Sequence, residues 1–454
     1  KVEKFLKKVL TNQKFVLYYN SNQYLLLWRF DMKREIKIVI IGAGSTYTPE
    51  LIEGLIKKRN DLDIRELALM DIDSEKLEIV GNMARRMLAA KEISWPVNFY
   101  DTYNCVSGAD YVITQIRVGK LLARINDEKI PLKYGMIGQE TCGIGGFFKA
   151  LRTIPVLYRI AEKMQTLCPN AVMINFTNPS GIVAQALLRK KIRSVGLCNC
   201  PFAMEKSVKE TLGLETAEID YVGLNHLSWL TAIRCNGKDY LEQALKSGVN
   251  SVAMKNIPAN GFDSEILQAV RGIPSTYLEY YYFKFDKLKK LQREKLSRGE
   301  VCLSLERELL EKYKNPSLNE KPPELEQRGG AYYSTVAVEL LEAIENDRGT
   351  RHVINVRNDG AFSFMDDDDV IEGAAIVGRD KIDTIPLRSF DNEHIIGLMK
   401  LMKSYEKLAV EAAVTGDRQT AISALLLNPL CGDYRAVSSC YDEMHKVNEK
   451  FLYE

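Results

Sequence analysis

Ile36–Glu50 reads IKIVIIGAGSTYTPE, and the fold follows from it. Ile38–Ile41 is an unbroken apolar run, as in a parallel strand covered on both faces. It ends at Gly42-Ala43-Gly44, where small residues permit a sharp turn and the close approach of a ligand. Ser45, Thr46 and Thr48 offer caps for a helix, and Pro49 suits its first turn. Leu51, Ile52, Leu55 and Ile56 then share one helical face. Strand, glycine turn and helix N-terminus together predict an anion site that suits a dinucleotide pyrophosphate. The third glycine of the usual fingerprint is absent, and Tyr47 stands where it would count. A plain strand-to-helix turn is therefore the other reading of this G-x-G.

Outward from this stretch, the strand–helix rhythm continues. Glu66–Asp73 reads as a second strand ending in acids, with Asp71 27 residues after Gly44. An acid there accepts hydrogen bonds from an adenine-ribose diol, or else caps the helix expected over Ser74–Ala90. Val97–Tyr100, Ala109–Gln115, Ala171–Asn175 and Ser194–Leu197 are further strands. The alternation predicts a doubly wound, Rossmann-like α/β sheet. Lys120–Lys133, which contains Arg124, reads as polar and irregular. Gly135–Phe148 reads as a glycine-rich loop close to a ligand, followed by a long helix over Leu151–Leu167. Asn175, Thr177, Asn178 and Ser180 crowd a strand end, the edge where ligands bind in open α/β sheets.

The chain has 454 residues, 46% hydrophobic and 27% charged, an ordinary globular balance. A net charge of +2 with no basic block gives no reason to expect a nucleic-acid partner. No apolar run approaches the roughly 20 residues that span a bilayer, so no membrane partner is expected. Nine scattered cysteines suit a reducing, cytoplasmic setting better than a disulfide framework. Three segments are expected: 1–31 as an N-terminal extension ahead of Met32, 32–205 as the Rossmann-like domain, and 206–454 as a C-terminal α+β domain. The second half offers helices over Leu303–Tyr313, Gly329–Asn346 and Glu393–Leu427.

Of four histidines, His226 stands out, because it follows a strand end as Cys198 does. Thiolate and imidazole converging at a sheet edge suit a borderline divalent metal. A buried free cysteine and a Cys198-x-Cys200 zinc half-site are the competing readings, although no second cysteine pair completes the latter.

The strings IVIIGAGSTYTPELIEGL, IPLKYGMIGQETCGIGGFFKALRTIP, INFTNPSGIV, GLCNCP and GLNHLSW occur in this order. Together they closely resemble glycoside hydrolase family 4, above all its 6-phospho-β-glucosidase branch, over Lys33–Glu454. The resemblance implies a fold like that of lactate and malate dehydrogenases. It also implies an NAD-dependent hydrolase outside the two-carboxylate scheme. Such enzymes oxidise the sugar at C3, which acidifies the C2 proton. A base removes that proton, the aglycone leaves, water adds, and the cofactor is restored.

Residue by residue, the resemblance makes Cys198 and His226 the ligands of Mn²⁺ or another divalent ion. Tyr277 becomes the C2 base, and Arg124, Asn178 and Arg298 become substrate contacts. Gly42, Gly44, Ser45, Thr46 and Asp71 form the NAD site. The implied substrate is a 6-phospho-β-D-glucoside such as cellobiose 6-phosphate, and the implied assembly is a homodimer or homotetramer. Asn199 stands where the α-glucosidase branch carries an aspartate acid, which favours the β branch and leaves the leaving-group acid unassigned. Another 6-phosphoglycosidase specificity, a 2-hydroxy acid dehydrogenase and a catalytically inactive dinucleotide or sugar-phosphate sensor are the alternatives.

Overall fold

The alternation of β1 (Glu35–Ile41) explains the architecture. Ile36, Ile38 and Ile40 face one core, packed with Leu51, Leu55, Leu77 and Leu341. Val39 and Ile41 face another, packed with Leu157, Ile160, Met164 and Leu187. A strand buried on both faces reads as continuous apolar sequence, because successive side chains enter opposite cores. The structure is a computed structural model that describes residues 18–20, 23–25, 33–247, 261–329 and 332–452.

β1 sits in a 13-stranded sheet. Its neighbours include β2 (Asp63–Met70), β3 (Val97–Tyr100), β4 (Tyr111–Thr114), β5 (Val172–Asn175) and β6 (Ser194–Gly196). Their spatial order is β3-β2-β1-β4-β5-β6, the doubly wound order expected from the sequence. The pairs β1–β4, β2–β3, β4–β5 and β5–β6 are parallel. The sheet then continues through antiparallel strands β7 (Glu218–Leu224), β8 (Leu227–Cys235), β9 (Thr350–Arg357) and β10 (Val370–Val377). β9 joins the parallel half at Asn355 opposite Gly196, and β10 bridges β9 to β7.

Helices α1 (Thr48–Lys57), α2 (Ser74–Ala89), α3 (Lys120–Lys133), α4 (Gly143–Leu167), α5 (Ser180–Arg189) and α6 (Cys200–Leu212) belong to the parallel half. Later come α7 (Arg298–Lys314), α8 (Tyr333–Glu345), α9 (Glu393–Thr415), α10 (Arg418–Leu427) and α11 (Tyr434–Asn448). No helix among the described residues is long and apolar enough to cross a membrane. The leader 1–31 lies outside the described residues, apart from an antiparallel pairing of Tyr18–Asn20 with Gln23–Leu25. Lys1–Glu35 forms its own contact unit.

Two sequence expectations are corrected. Lys120–Lys133 is helical, not irregular, because Leu121, Ala123, Ile130 and Pro131 give it a buried face. Of the expected loop over Gly135–Phe148, the part before Gly143 is irregular and brings Glu140 and Thr141 to the cavity, whereas Gly143–Phe148 begins α4. A Cβ on Gly145 would stand 2.5 Å from the Gln139 carbonyl oxygen and 2.6 Å from that of Asp127. The glycine there serves close backbone packing, and a buried ion pair locks the same region. Arg152 of α4 donates two bonds to Asp127 of α3, at 2.9 and 2.7 Å, and a third to Asn448 of α11 at 2.9 Å.

Candidate active site

A cavity of about 850 Å³ opens where the parallel strands end. Its first wall is the glycine turn. The Gly42 and Ala43 amides both donate to the Met70 carbonyl, at 2.9 and 3.0 Å, which draws the ends of β1 and β2 together. Gly44 N–H donates to Asp71 Oδ2 at 2.8 Å, and a Cβ at Gly44 would stand only 2.9 Å from that oxygen. Asp71 also accepts from the Asp73 amide at 3.0 Å. Asp73, not Asp71, caps α2, so Asp71 is left at the cavity wall for a ligand. Burial raises the Asp71 carboxyl, opposed by the Asp73 and Gly44 amides.

Gly42, Gly44, Ser45 and Asp71 line the cavity. Thr46 is buried beneath it, its carbonyl accepting from Tyr313 Oη at 2.9 Å. Tyr47 is the residue before α1, and no side chain caps that helix. Gln115, unremarked in the sequence, braces the turn. Its amide nitrogen reaches Gly42 O at 3.1 Å and Thr48 Oγ1 at 2.8 Å, while its oxygen accepts from Tyr333 at 3.0 Å. A glycine cradle beside a carboxylate and a helix start fits a dinucleotide.

The second wall carries the chemistry. Asn178, Cys198, His226 and Tyr277 line it together. Asn175 and Thr177 do not: Asn175 Oδ1 accepts from Thr114 Oγ1 at 2.8 Å, and Thr177 Oγ1 accepts from the Ile116 amide at 3.1 Å. Cys198 lies before α6, and the Cys200 amide donates to its sulfur at 3.4 Å. Burial nevertheless raises the thiol, with Glu372 adding to the effect. His226 occupies the turn between β7 and β8 with φ of 65°, a left-handed backbone uncommon for a side chain of this size. Burial, then Lys149, pushes its imidazole down to about 3. Its Nδ1 lies 3.0 Å from Thr141 Oγ1. The donors are thus a buried thiol and a neutral imidazole, which fits a borderline divalent cation. Among the described residues, no three His, Cys, Asp or Glu side chains converge on a metal position.

Charge is organised around Glu140, another residue the sequence did not single out. Its carboxylate contacts Arg117 and accepts ion pairs from Arg124 Nη1 at 3.0 Å and Lys149 Nζ at 2.8 Å. Burial opposes its ionisation, but the three cations outweigh it and hold the carboxyl well below its ordinary range. Burial, with Arg117 beside it, pushes Lys149 down to about 7. Arg124, on α3, also donates to Glu128 at 2.8 Å. Arg298 opens α7 and donates to the Gln327 carbonyl at 2.9 Å. Both arginines line the cavity, as does Arg328, whose guanidinium lies 4.9 Å from the Tyr47 ring centre. Among the described residues, Arg298 Nε and Arg328 Nη1 are buried without hydrogen-bond partners, an arrangement suited to an anion.

Fold and cavity define an α/β protein of the dinucleotide-binding class, with a buried thiol and an imidazole lining the same cavity as the glycine turn. Residues 37–214 match the model for the family 4 glycosyl hydrolases, and residues 221–431 match that for the family 4 glycosyl hydrolase C-terminal domain. The chain belongs to glycoside hydrolase family 4. A probable 6-phospho-β-glucosidase of Bacillus subtilis is 41% identical over 93% of this chain and 98% of its own length. The 6-phospho-β-glucosidase of Thermotoga maritima, solved with manganese, NAD⁺ and glucose 6-phosphate, superposes with a TM-score of 0.83. It is 33% identical over 92% of this chain and 99% of its own. A lactate dehydrogenase of Eimeria maxima (14% identity, TM-score 0.53, 86% of this chain and 98% of its own) shares the fold alone.

Proposed function

We propose that this protein is an NAD- and divalent-metal-dependent 6-phospho-β-glucosidase, hydrolysing 6-phospho-β-D-glucosides such as cellobiose 6-phosphate to glucose 6-phosphate. The observation that carries this is the convergence of Asn178, Cys198, His226 and Tyr277, from separate segments, on the cavity that also contains Gly44 and Asp71. When bound, NAD⁺ supplies reversible oxidation at C3, and the divalent ion polarises the oxygens at C2 and C3.

The chain's own residues divide the remaining work. Gly42, Gly44 and Ser45 cradle the dinucleotide and Asp71 holds its ribose, with Thr46 shaping the turn from beneath. Cys198 and His226 would hold the metal, with substrate oxygens as further ligands. Arg124 and Asn178 fix sugar hydroxyls, and Arg298 grips the substrate from α7. Tyr277 removes the C2 proton. Burial beside the Cys198, Cys200 and Cys142 thiols raises its phenol well above 10, so it acts as a base only when a cation stands next to it. Asn199 carries no acidic proton, so this side chain does not serve as the leaving-group acid.

The proposed boundary lies at 205/206, between an NAD-binding half over 32–205, which also lends Arg124, Asn178 and Cys198 to the site, and a substrate, metal and assembly half over 206–454, which lends His226, Tyr277 and Arg298. The two family matches part somewhat further along the chain, between 214 and 221. A cytoplasmic location and a homodimeric or homotetrameric assembly complete the reading. A dehydrogenase of hydroxy acids is disfavoured by His226, whose Nδ1 meets a hydroxyl and not a carboxylate.

The test is release of p-nitrophenol from p-nitrophenyl β-D-glucoside 6-phosphate, with and without NAD⁺, Mn²⁺ and a thiol reductant. Release that needs all three, without net NADH, is expected. No release despite bound NAD⁺, or stoichiometric NADH from a hydroxy acid, overturns the reading.

A further inference from the structure

One row of residues crosses the seam between the parallel and antiparallel halves of the sheet. Gly196 of β6 pairs with Asn355 of β9, Asn355 pairs with Glu372 of β10, and Glu372 pairs with Gly223 of β7. The two ends of the row run directly into Cys198 and into the Asn225-His226 turn. Glu372 is 1% exposed and makes no ion pair among the described residues. Its Oε1 accepts from Asn225 Nδ2 at 2.9 Å and from Asn355 Nδ2 at 3.1 Å. Its Oε2 accepts from Tyr221 Oη at 2.6 Å, and that hydroxyl lies 2.6 Å from Ser228 Oγ. Asn225 thus donates to Glu372, while its side chain also hydrogen-bonds Cys198. It immediately precedes the left-handed His226.

We propose that Glu372 is the positioning residue of the divalent-metal site: by clamping Asn225 it fixes Cys198 and His226, which come from two different strand ends, in one geometry. The inference rests on the metal reading given above. A carboxylate beneath ligating groups orients them and adds negative charge that a cation relieves. Burial raises the Glu372 carboxyl to about 7 against the hydrogen bonds from Tyr221, Asn225 and Asn355. A purely architectural role predicts general loosening, whereas a positioning role predicts a selective loss of metal affinity.

The experiment is a Co²⁺ titration followed by the thiolate-to-cobalt charge-transfer band, with NAD⁺ affinity measured in parallel by calorimetry. Wild type, Glu372→Gln and Asn225→Ala are compared. Loss of an outer partner typically weakens metal binding by about 10- to 100-fold. Both variants should shift the Co²⁺ midpoint by that factor, with NAD⁺ affinity held within about twofold. An unshifted midpoint, or parallel loss of NAD⁺ binding, overturns the proposal. Should Glu372→Gln fail to fold, Asn225→Ala decides by the same criteria. Absence of the band in wild type itself would instead overturn the metal reading, and this inference with it.

Discussion

The rings of His226 and Tyr277 stack, with centroids 3.7 Å apart and planes only 8° from parallel. His226 comes from the β7–β8 turn, while Tyr277 comes from a 3-10 turn over Thr276–Leu278. Both rings are buried on one wall of the cavity. The stack makes a single rigid unit of the proposed metal ligand and the proposed base. A divalent ion held by His226 would therefore stand close to the Tyr277 phenol, the condition that a raised phenol requires to act as a base.

Tyr277→Phe keeps the stacked ring and removes the hydroxyl. Loss of a general base costs about 10²- to 10⁴-fold in rate, so kcat on the phosphorylated glucoside should fall by that range. Mn²⁺ and NAD⁺ affinities should stay near wild type. Turnover in D₂O gives a second readout, because proton abstraction at C2 introduces deuterium there. A variant that still releases glucose 6-phosphate at the wild-type rate would remove Tyr277 from the chemistry.

Gly44→Ala tests the dinucleotide wall. The added methyl would meet Asp71 Oδ2 and displace the acid from its bond to the turn. NAD⁺ affinity should weaken by about tenfold or more, ~1.4 kcal/mol. The Co²⁺ midpoint at Cys198 and His226 should not move. Calorimetry that finds unchanged NAD⁺ binding would detach Asp71 from the cofactor.

The ion pair between Arg152 and Asp127 makes a stability prediction. Their exposures are 1% and 0%, so neither charge has water to fall back on. Arg152→Met strands the carboxylate and should cost about 3–5 kcal/mol in urea unfolding. Adding Asp127→Leu removes the stranded charge and should recover part of the loss. If the single variant unfolds like wild type, the pair does not hold α3, α4 and α11 together.

Much of this was legible in sequence because its signals are local. The apolar run of β1, the strand–helix alternation and the polar strand end at Asn178 each reflect a few adjacent residues. Cys198, His226 and Tyr277 depended on ordered motifs, since spacing alone cannot tell a ligand from a small buried thiol. What was missed depends on distant partners. Lys120–Lys133 looks irregular until Leu121 and Ile130 find their buried face. The first part of Gly135–Phe148 is a loop at the cavity, through Glu140 and Thr141, but the glycines from Gly143 on look like more of that loop until Gly145 meets the Asp127 carbonyl. Glu140 and Lys149 sit inside a quoted motif without standing out, and Arg328 and Glu372 lie outside every one; only tertiary structure surrounds Glu140 with three cations and, among the described residues, leaves Glu372 with none.

His352, on β9, predicts the acid limb of the stability curve. Burial, with Arg351 beside it, pushes its imidazole from 6.5 down to about 4, and its Nε2 lies 2.9 Å from Thr350 Oγ1. Between these two pH values the unfolded chain binds a proton that the folded chain refuses, so stability falls as pH falls through the window. Above pH 6.5 the contribution is present, and it is lost progressively as pH falls towards 4. Other acidic and basic groups titrate over the same range, so the decisive quantity is the difference between wild type and His352→Gln. Urea unfolding at pH 7, 5.5 and 4.5 should show the variant losing less stability than wild type at each step down. Parallel curves would mean that His352 already titrates at its ordinary value in the folded protein.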